Sequence, residues 1–248
     1  MGKEIQGTWG VIGALASEVG LLTSRLEGRS AVRLAGIDFY AGTLEGVPAV
    51  VAQCGVGKVC AALCAQAMID RFGVAALINT GVAGGIAAGL SVGDLVVGAD
   101  AVQHDFDITA FGHVKGYMGF GPEADDTKPT RFAADPRLVA AFRDAAQTVL
   151  GAQRVRVGTI ASGDVFVADD ALKREIAQRF GASAAEMEGA AVAQVACANA
   201  VPFVIVRAIS DLAGEAAHVS YDEFEKAAAE SGARIVAEML RRAGTGAI

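Results

Sequence analysis

The stretch that most constrains this chain covers residues 184–211, AAEMEGAAVAQVACANAVPFVIVRAISD. Two acidic residues, Glu186 and Glu188, stand at the mouth of an alanine-rich helix. That helix leads into an apolar strand whose end carries Arg207, Ser210 and Asp211. In an α/β sheet the ligand crevice lies beyond the carboxyl ends of the parallel strands, so a strand that turns polar at its last residues aims them at a site. On this reading Glu188 and Asp211 face one small molecule. The same residues also fit a plainer account, in which Glu186 and Glu188 favour a helix N-terminus through its dipole and Asp211 caps the next turn.

Around this stretch, strand and helix alternate. Residues 8–15 read as a buried strand, and Ser17 with Glu18 opens a helix through Leu26, with Val19, Leu22 and Leu26 at helical spacing. Residues 36–44 and 47–53 form a hairpin around Glu45 and Gly46, which makes the sheet mixed rather than purely parallel. A helix over 57–72 closes at Gly73, and a strand over 74–79 runs into a tight glycine loop, TGVAGG, at 80–85. Further strands are expected at 94–104 and 154–161, the second leading to Ser162, Gly163 and Asp164, with helices over 136–150, 169–180 and 221–242. Residues 113–131, rich in Gly, Pro and Asp, make a long irregular stretch of the kind that is functional or sits at an interface. With no proline-rich or charged linker, the pattern predicts one α/β domain over residues 1–248, a three-layer fold with a central mixed β-sheet flanked by helices.

Composition removes several classes of function. Hydrophobic residues make up 53% of the 248, ample for a core, yet every apolar run is broken by Gly, Pro or charge well short of the ~18 residues of a membrane span. The N-terminus lacks an apolar signal core and Gln6 breaks the myristoylation pattern, so a cytoplasmic location is expected. A net charge of −7 without a basic patch argues against a nucleic-acid partner while leaving a nucleoside open. Cys54, Cys60, Cys64 and Cys197 form no CxxC, and His104, His113 and His218 are scattered, so neither metal nor disulfide is expected.

Two glycine motifs fail their usual tests. Gly55, Gly57 and Lys58 lack the first glycine and the terminal hydroxyl residue of a phosphate loop, because Ala52 and Val59 stand there. Gly81, Gly84 and Gly85 lack dinucleotide spacing; they fit either a simple tight turn or a close backbone approach to a ligand with amides as donors. Glu18 alone is an ordinary first-turn acid. Taken with Glu188 and Asp211, each after a separate strand or opening a separate helix, it belongs to a set that can build one pocket.

These residues resemble the 5′-methylthioadenosine/S-adenosylhomocysteine nucleosidases, of the purine nucleoside phosphorylase fold. The resemblance runs through VIGALASEV at 11–19, GVGKVCAAL at 55–63, INTGVAGG at 78–85, VGDLVV at 92–97, HDFDITAFG at 104–112, SGDVFV at 162–167, AEMEGAAVA at 185–193, VPFVIVRAISD at 201–211 and SYDEF at 220–224. It implies that Glu18 activates a water, that Asp211 protonates adenine at N7 with Ser210 in support, and that Glu188 accepts from the ribose hydroxyls. Met187 would pack on the ribose, Phe166 and the Val167 backbone would form the adenine slot, and Arg207 would lie near the water. Val82, Ala83, Gly84 and Glu186 would border the substrate. Leu15, Val56, Ile108, Phe111 and Tyr221 would surround the 5′-alkylthio group, part of that pocket coming from the partner subunit of a homodimer. The chain departs from the family at Val82, where many members carry serine, and after Phe111, where GHVKGYMGFGPEADD lacks a proline expected near Gly119.

The implied chemistry is hydrolysis of an N-ribosidic bond without a cofactor. An acid at the purine and a carboxylate at the water divide the work as in an inverting glycosidase, which asks Asp211 to hold a proton near neutral pH and Glu18 to stay ionised. Two alternatives remain. A phosphorylase of the same fold would need cations for its phosphate, yet no arginine or lysine occurs over residues 8–24. A non-catalytic nucleoside-binding protein would need no paired Glu18 and Asp211.

Overall fold

The computed structural model describes residues 5–122, 124–214 and 217–245, without the side chains of residues 218–220 and 223. Residues 1–4, part of the N-terminal reading, and the side chains of His218 and Ser220 lie outside this set. The described residues form a single domain built on one mixed sheet.

Its centre is a run of parallel strands: β1 (Trp9–Gly13) lies between β4 (Val47–Gln53) and β5 (Ala76–Gly85), and β10 (Phe203–Asp211) pairs with β5. Their inward and outward faces are both apolar, as a sheet covered on two sides requires. The flanks add β2 (Glu27–Leu34) and β3 (Ile37–Leu44) as an antiparallel extension on one side. On the other, β6 (Leu95–Gln103), β8 (Val155–Ser162) and β9 (Ala182–Glu186) curl round until β9 meets the end of β5, and a short β7 (Phe132–Ala133) borders β6. Five strands thereby close into a ring, β5–β10–β6–β8–β9, a closure that the apolar pattern does not announce.

Helices cover both faces. α2 (Lys58–Phe72) and α5 (Gly189–Ala198) pack together on one side over Cys64, Met68 and Val192. α1 (Ala16–Ser24), α3 (Pro136–Leu150) and α6 (Ala217–Ala243) cover the other over Trp9, Leu22, Phe142 and Leu240, while α4 (Asp170–Phe180) caps a smaller cluster near β8 and β9. Local chemistry sets the ends of these elements. Asp135 accepts the Arg137 amide at 2.9 Å ahead of Pro136 at the start of α3, and Gly73 ends α2 in the left-handed region at φ 58°. The β3–β4 turn places Glu45 and Gly46 at φ 52° and 83°, both central residues left-handed as a tight hairpin demands. Among the described residues no helix is long and apolar enough to cross a membrane.

The structure departs from the sequence reading at four points. The TGVAGG segment is no loop: it is the second half of β5, paired with β10 from Thr80 to Gly84. Its glycines serve close approach instead, as shown below. β2 and β9 were not foreseen. β2 is an exposed strand carrying Glu27, Arg29 and Arg33, residues that read as a polar connection and suit a sheet edge. β9, ASAAE, is wholly buried, yet its alanines carry little strand preference, so only its pairing with β5 and β8 makes it a strand. α6 also begins four residues before the expected Tyr221. The stretch from 113 to 131 contains no helix or strand among its described residues, in line with its composition.

Candidate active site

Glu18 sits in the first turn of α1 and is only 4% exposed. Its Oε2 accepts the amides of Ala14 and Leu15 at 2.6 and 2.9 Å, and its Oε1 accepts the Val82 amide at 3.0 Å. The carboxylate thus ties the end of β1 to β5. Gly81 makes this possible, because a Cβ there would stand 2.6 Å from Oε1. Burial pushes the Glu18 carboxyl above its usual range, against the opposing pull of the Arg207 charge and the three amides. The sequence asked for a plainly ionised Glu18; the structure holds it in acceptor geometry with its proton affinity raised.

Asp211 ends β10 in register with Gly84. Its Oδ1 accepts the Ala213 amide at 2.8 Å and its Oδ2 accepts the Ser210 hydroxyl at 3.0 Å. Burial raises its pKa in spite of both bonds. A Cβ on Gly84 would approach Oδ1 to 2.9 Å, so Gly81 and Gly84 each leave room for one acid.

The two glutamates around Met187 behave differently. Glu186, the last residue of β9, accepts the Glu188 amide at 3.1 Å and the Gly189 amide at 3.0 and 2.8 Å, so it satisfies the start of α5. It also accepts the Ser162 hydroxyl and pairs with Arg207, whose Nε lies 3.1 Å from Oε2. Burial pushes its carboxyl up, but Arg207 and these bonds outweigh burial and leave it lowered. The plainer helix-terminus account therefore holds for Glu186 and fails for Glu188. Glu188 makes no capping bond of its own; its Oε1 accepts the Gly57 amide at 2.8 Å, and Oε2 has no donor among the described residues. Burial, then the charge of Glu186, raises its pKa.

These groups open into one cavity of about 330 Å³, within the range of small-ligand sites. Its apolar lining includes Leu15, Val56, Val82, Ala83, Gly84, Phe166, Met187 and Tyr221, together with Glu18, Glu186, Glu188, Ser210 and Asp211. Phe166 and Tyr221 meet edge-on with ring centres 5.7 Å apart. Val167 lines a narrow adjoining recess that shares Phe166, Met187 and Asp211.

Three expected residues stay outside. Arg207 lies beneath the cavity, 1% exposed, donating to the Asn79 carbonyl at 3.1 Å and to the Asn79 side chain. Ile108 and Phe111 do not line it; Phe111, in a 3₁₀ turn at Thr109–Phe111, is 81% exposed. Conversely, Ala14, Ala185 and Asp222 line the cavity without having been singled out. Asn79 and Ser162, which complete the Arg207–Glu186 network, were also missed as site residues. Asn79 had a legible signal, since it is the one amide in an apolar strand; its side chain donates to the Ile12 carbonyl at 3.0 Å.

The phosphorylase superfamily matches residues 8–241. The 5′-methylthioadenosine/S-adenosylhomocysteine nucleosidase of Geobacillus thermodenitrificans is 43% identical over 231 residues, covering 93% of this chain and 94% of that protein. The chain belongs to this nucleosidase family. Solved family structures agree. The Neisseria meningitidis enzyme in complex with methylthio-immucillin-A superposes with a TM-score of 0.87 at 42% identity, covering 95% of this chain and 99% of that one. The Colwellia psychrerythraea nucleosidase in complex with adenine gives 0.85 at 36% identity, covering 96% of each chain. The quoted motifs at 11–19, 55–63, 78–85, 162–167, 185–193, 201–211 and 220–224 each contribute at least one residue to the cavity lining.

Because a methyl group at Gly81 collides with the Glu18 carboxylate, Gly81→Ala is expected to cut nucleosidase turnover by ~100-fold, the scale of an ångström-level displacement of a reacting group. Steady-state kinetics on protein shown by circular dichroism to be folded checks this; wild-type turnover would mean that Glu18 does not need its observed position.

Proposed function

We propose that this chain hydrolyses the N-ribosidic bond of 5′-methylthioadenosine and/or S-adenosylhomocysteine, with Glu18 activating water, Asp211 protonating adenine N7 and Glu188 holding the ribose hydroxyls. The observation that carries the reading is that Glu18 and Asp211 open into the same cavity from opposite ends of one strand segment. Glu18 bonds the Val82 amide beside Gly81, and Asp211 stands beside Gly84.

The bond from C1′ to N9 breaks with its electron pair moving to the base, and protonation at N7 by Asp211 lets adenine leave neutral. The water oxygen attacks C1′ and gives its proton to Glu18, so the products are adenine and a 5-thio-substituted ribose. Phe166 and the recess at Val167 suit the flat base, and Met187 suits the face of the sugar. The carboxylates of Glu18 and Glu188 lower the energy of a cationic ribosyl group as charge develops. Hydrolysis is favoured over phosphorolysis because no lysine or arginine is among the described residues that line the cavity, and its charged lining is all acidic. A phosphate would enter against that field.

The exposed apolar residues Val56, Val59, Leu63 and Phe111 support a homodimer in which Ile108 and Phe111 complete the 5′-alkylthio pocket of the other subunit.

Adenine release from methylthioadenosine should proceed without added phosphate, and Glu18→Ala or Asp211→Asn should each lower turnover by at least ~100-fold. Ribose 1-phosphate as the product, or near-normal turnover in either folded variant, would overturn the assignment.

The pH profile follows from the two raised acids. Glu18 works deprotonated, so activity is lost as pH falls through its raised pKa; Asp211 works protonated, so activity is lost as pH rises through its own. A bell in kcat/KM is expected whichever of the two lies higher. A profile with no alkaline fall would remove Asp211 as the acid.

For the subunit contact, light scattering should give a dimer, and Phe111→Ala should raise KM for methylthioadenosine about tenfold, as expected for loss of a large apolar contact. An active monomer, or unchanged KM, would refute it.

A further inference from the structure

The turn at residues 55–58, whose glycines and lysine failed as a phosphate loop, has an unusual dependence on carboxylates from elsewhere in the chain. Gly55 and Gly57 lie at φ 87° and 97°, and Gly57 precedes α2 without any side-chain cap. Its first amides therefore have no local acceptor. Glu188 Oε1 takes the Gly57 amide and Asp164 Oδ1 takes the Lys58 amide, each at 2.8 Å.

Asp164 is exposed, and on its own a carboxylate at a surface turn would be free to rotate into water. A closed ring prevents this. The Asp164 amide donates to Asp105 Oδ2 at 2.8 Å, and Lys58 Nζ donates to Asp105 Oδ1 at 2.7 Å and to Gln103 Oε1 at 3.1 Å. Lys58 thus grips Asp164 through its backbone and Asp105 through its side chain, while Asp105 holds the backbone of Asp164. Three loops that follow β4, β6 and β8 become one unit. Space is tight as well, since a Cβ on Gly57 would stand 3.0 Å from Asp164 Oδ1. Burial would raise the Asp105 carboxyl, but the Lys58 bond and the Asp164 amide outweigh it and keep it lowered, consistent with an ionised centre for the ring.

None of these three side chains lines the cavity. We propose that Lys58, Asp105 and Asp164 are positioning residues, which fix the 55–58 turn so that the Gly57 amide orients Glu188 toward the ribose. The inference rests on the reading of Glu188 as the ribose-binding acid. Its physical reason is that Glu188 sits beside Glu186 in a buried pocket, where a free carboxylate would turn away or take up a proton. The Gly57 amide is the donor that opposes both, leaving Oε2 for the sugar.

A double-mutant cycle tests it. Asp164→Ala should lower kcat/KM for methylthioadenosine about tenfold, the loss expected for a hydrogen bond to a charged group. Asp164→Asn, which keeps an oxygen for the Lys58 amide, should restore most of that. Lys58→Met opens the ring from its other side and should act in the same direction even where Asp164→Ala folds poorly. In a Glu188→Gln background, neither Asp164→Ala nor Lys58→Met should lower kcat/KM further. Losses that add to that of Glu188→Gln, or wild-type efficiency in both Asp164→Ala and Lys58→Met, would overturn the positioning role alone. A Glu188→Gln enzyme with wild-type efficiency would instead overturn the ribose reading, and this inference with it.

Discussion

The site depends on one buried cation. Glu18, Glu186, Glu188 and Asp211 all lie within the domain at less than a tenth of their full exposure, and Arg207 is the guanidinium placed among them. At an effective dielectric near 20, two like charges about 4 Å apart repel by ~4 kcal/mol, so a cluster of bare carboxylates would not remain ionised in one place. Arg207 binds Glu186 directly and pulls the pKa of Glu18 and Glu188 downward through space. Its own position is fixed by Glu186, by Asn79 and by the Val206 carbonyl. A buried pair of this kind adds little net stability compared with apolar packing, whereas loss of one partner leaves an uncompensated charge. Its value here lies in letting the other acids share a pocket.

Strand geometry then distributes those acids. Parallel pairing of β1, β5 and β10 brings three chain segments far apart in sequence to the same edge of the sheet. β5 supplies no charged group, and its contribution is absence of bulk. Gly81 and Gly84 are residues whose missing side chains leave space for Glu18 and Asp211, and the Val82 amide between them is one of the three that hold Glu18.

Much of this was legible in the residues and some was not. The apolar runs ending in polar groups marked β1, β5 and β10, and the order of motifs marked the acids, because burial and ligand-facing ends leave different residue types. β9 was invisible because alanine fits a helix better than a strand and only its neighbours hold it extended. The glycine-rich end of β5 looked like a turn for a related reason: glycine signals missing bulk, and sequence does not say whether a bend or a neighbouring carboxylate requires it. Glu186 and Glu188, two residues apart, carry the same chemistry in sequence. Both line the cavity, and what separates a fully bonded Glu186 from a Glu188 with one oxygen free of donors among the described residues is Arg207 on the first and Gly57 on the second, each reached only through the tertiary fold.

Burial alone does not distinguish Glu18 from Asp211, since it raises both. The direction of their hydrogen bonds does. Glu18 receives three backbone N–H groups, which can only donate, so both of its oxygens are bound as acceptors and a proton there must compete with fixed donors. Asp211 receives one amide at Oδ1, while its Oδ2 faces a hydroxyl, which can rotate. With the Ala83 carbonyl 3.4 Å from Ser210 Oγ, that hydroxyl has a second acceptor to turn to, and it can then accept a proton held on Oδ2. Ser210 therefore accommodates Asp211 in both protonation states, whereas the amides around Glu18 favour only the ionised one. Two carboxylates raised by the same cause thus differ in the protonation states their donors accommodate, which is the difference the proposed base and acid roles require.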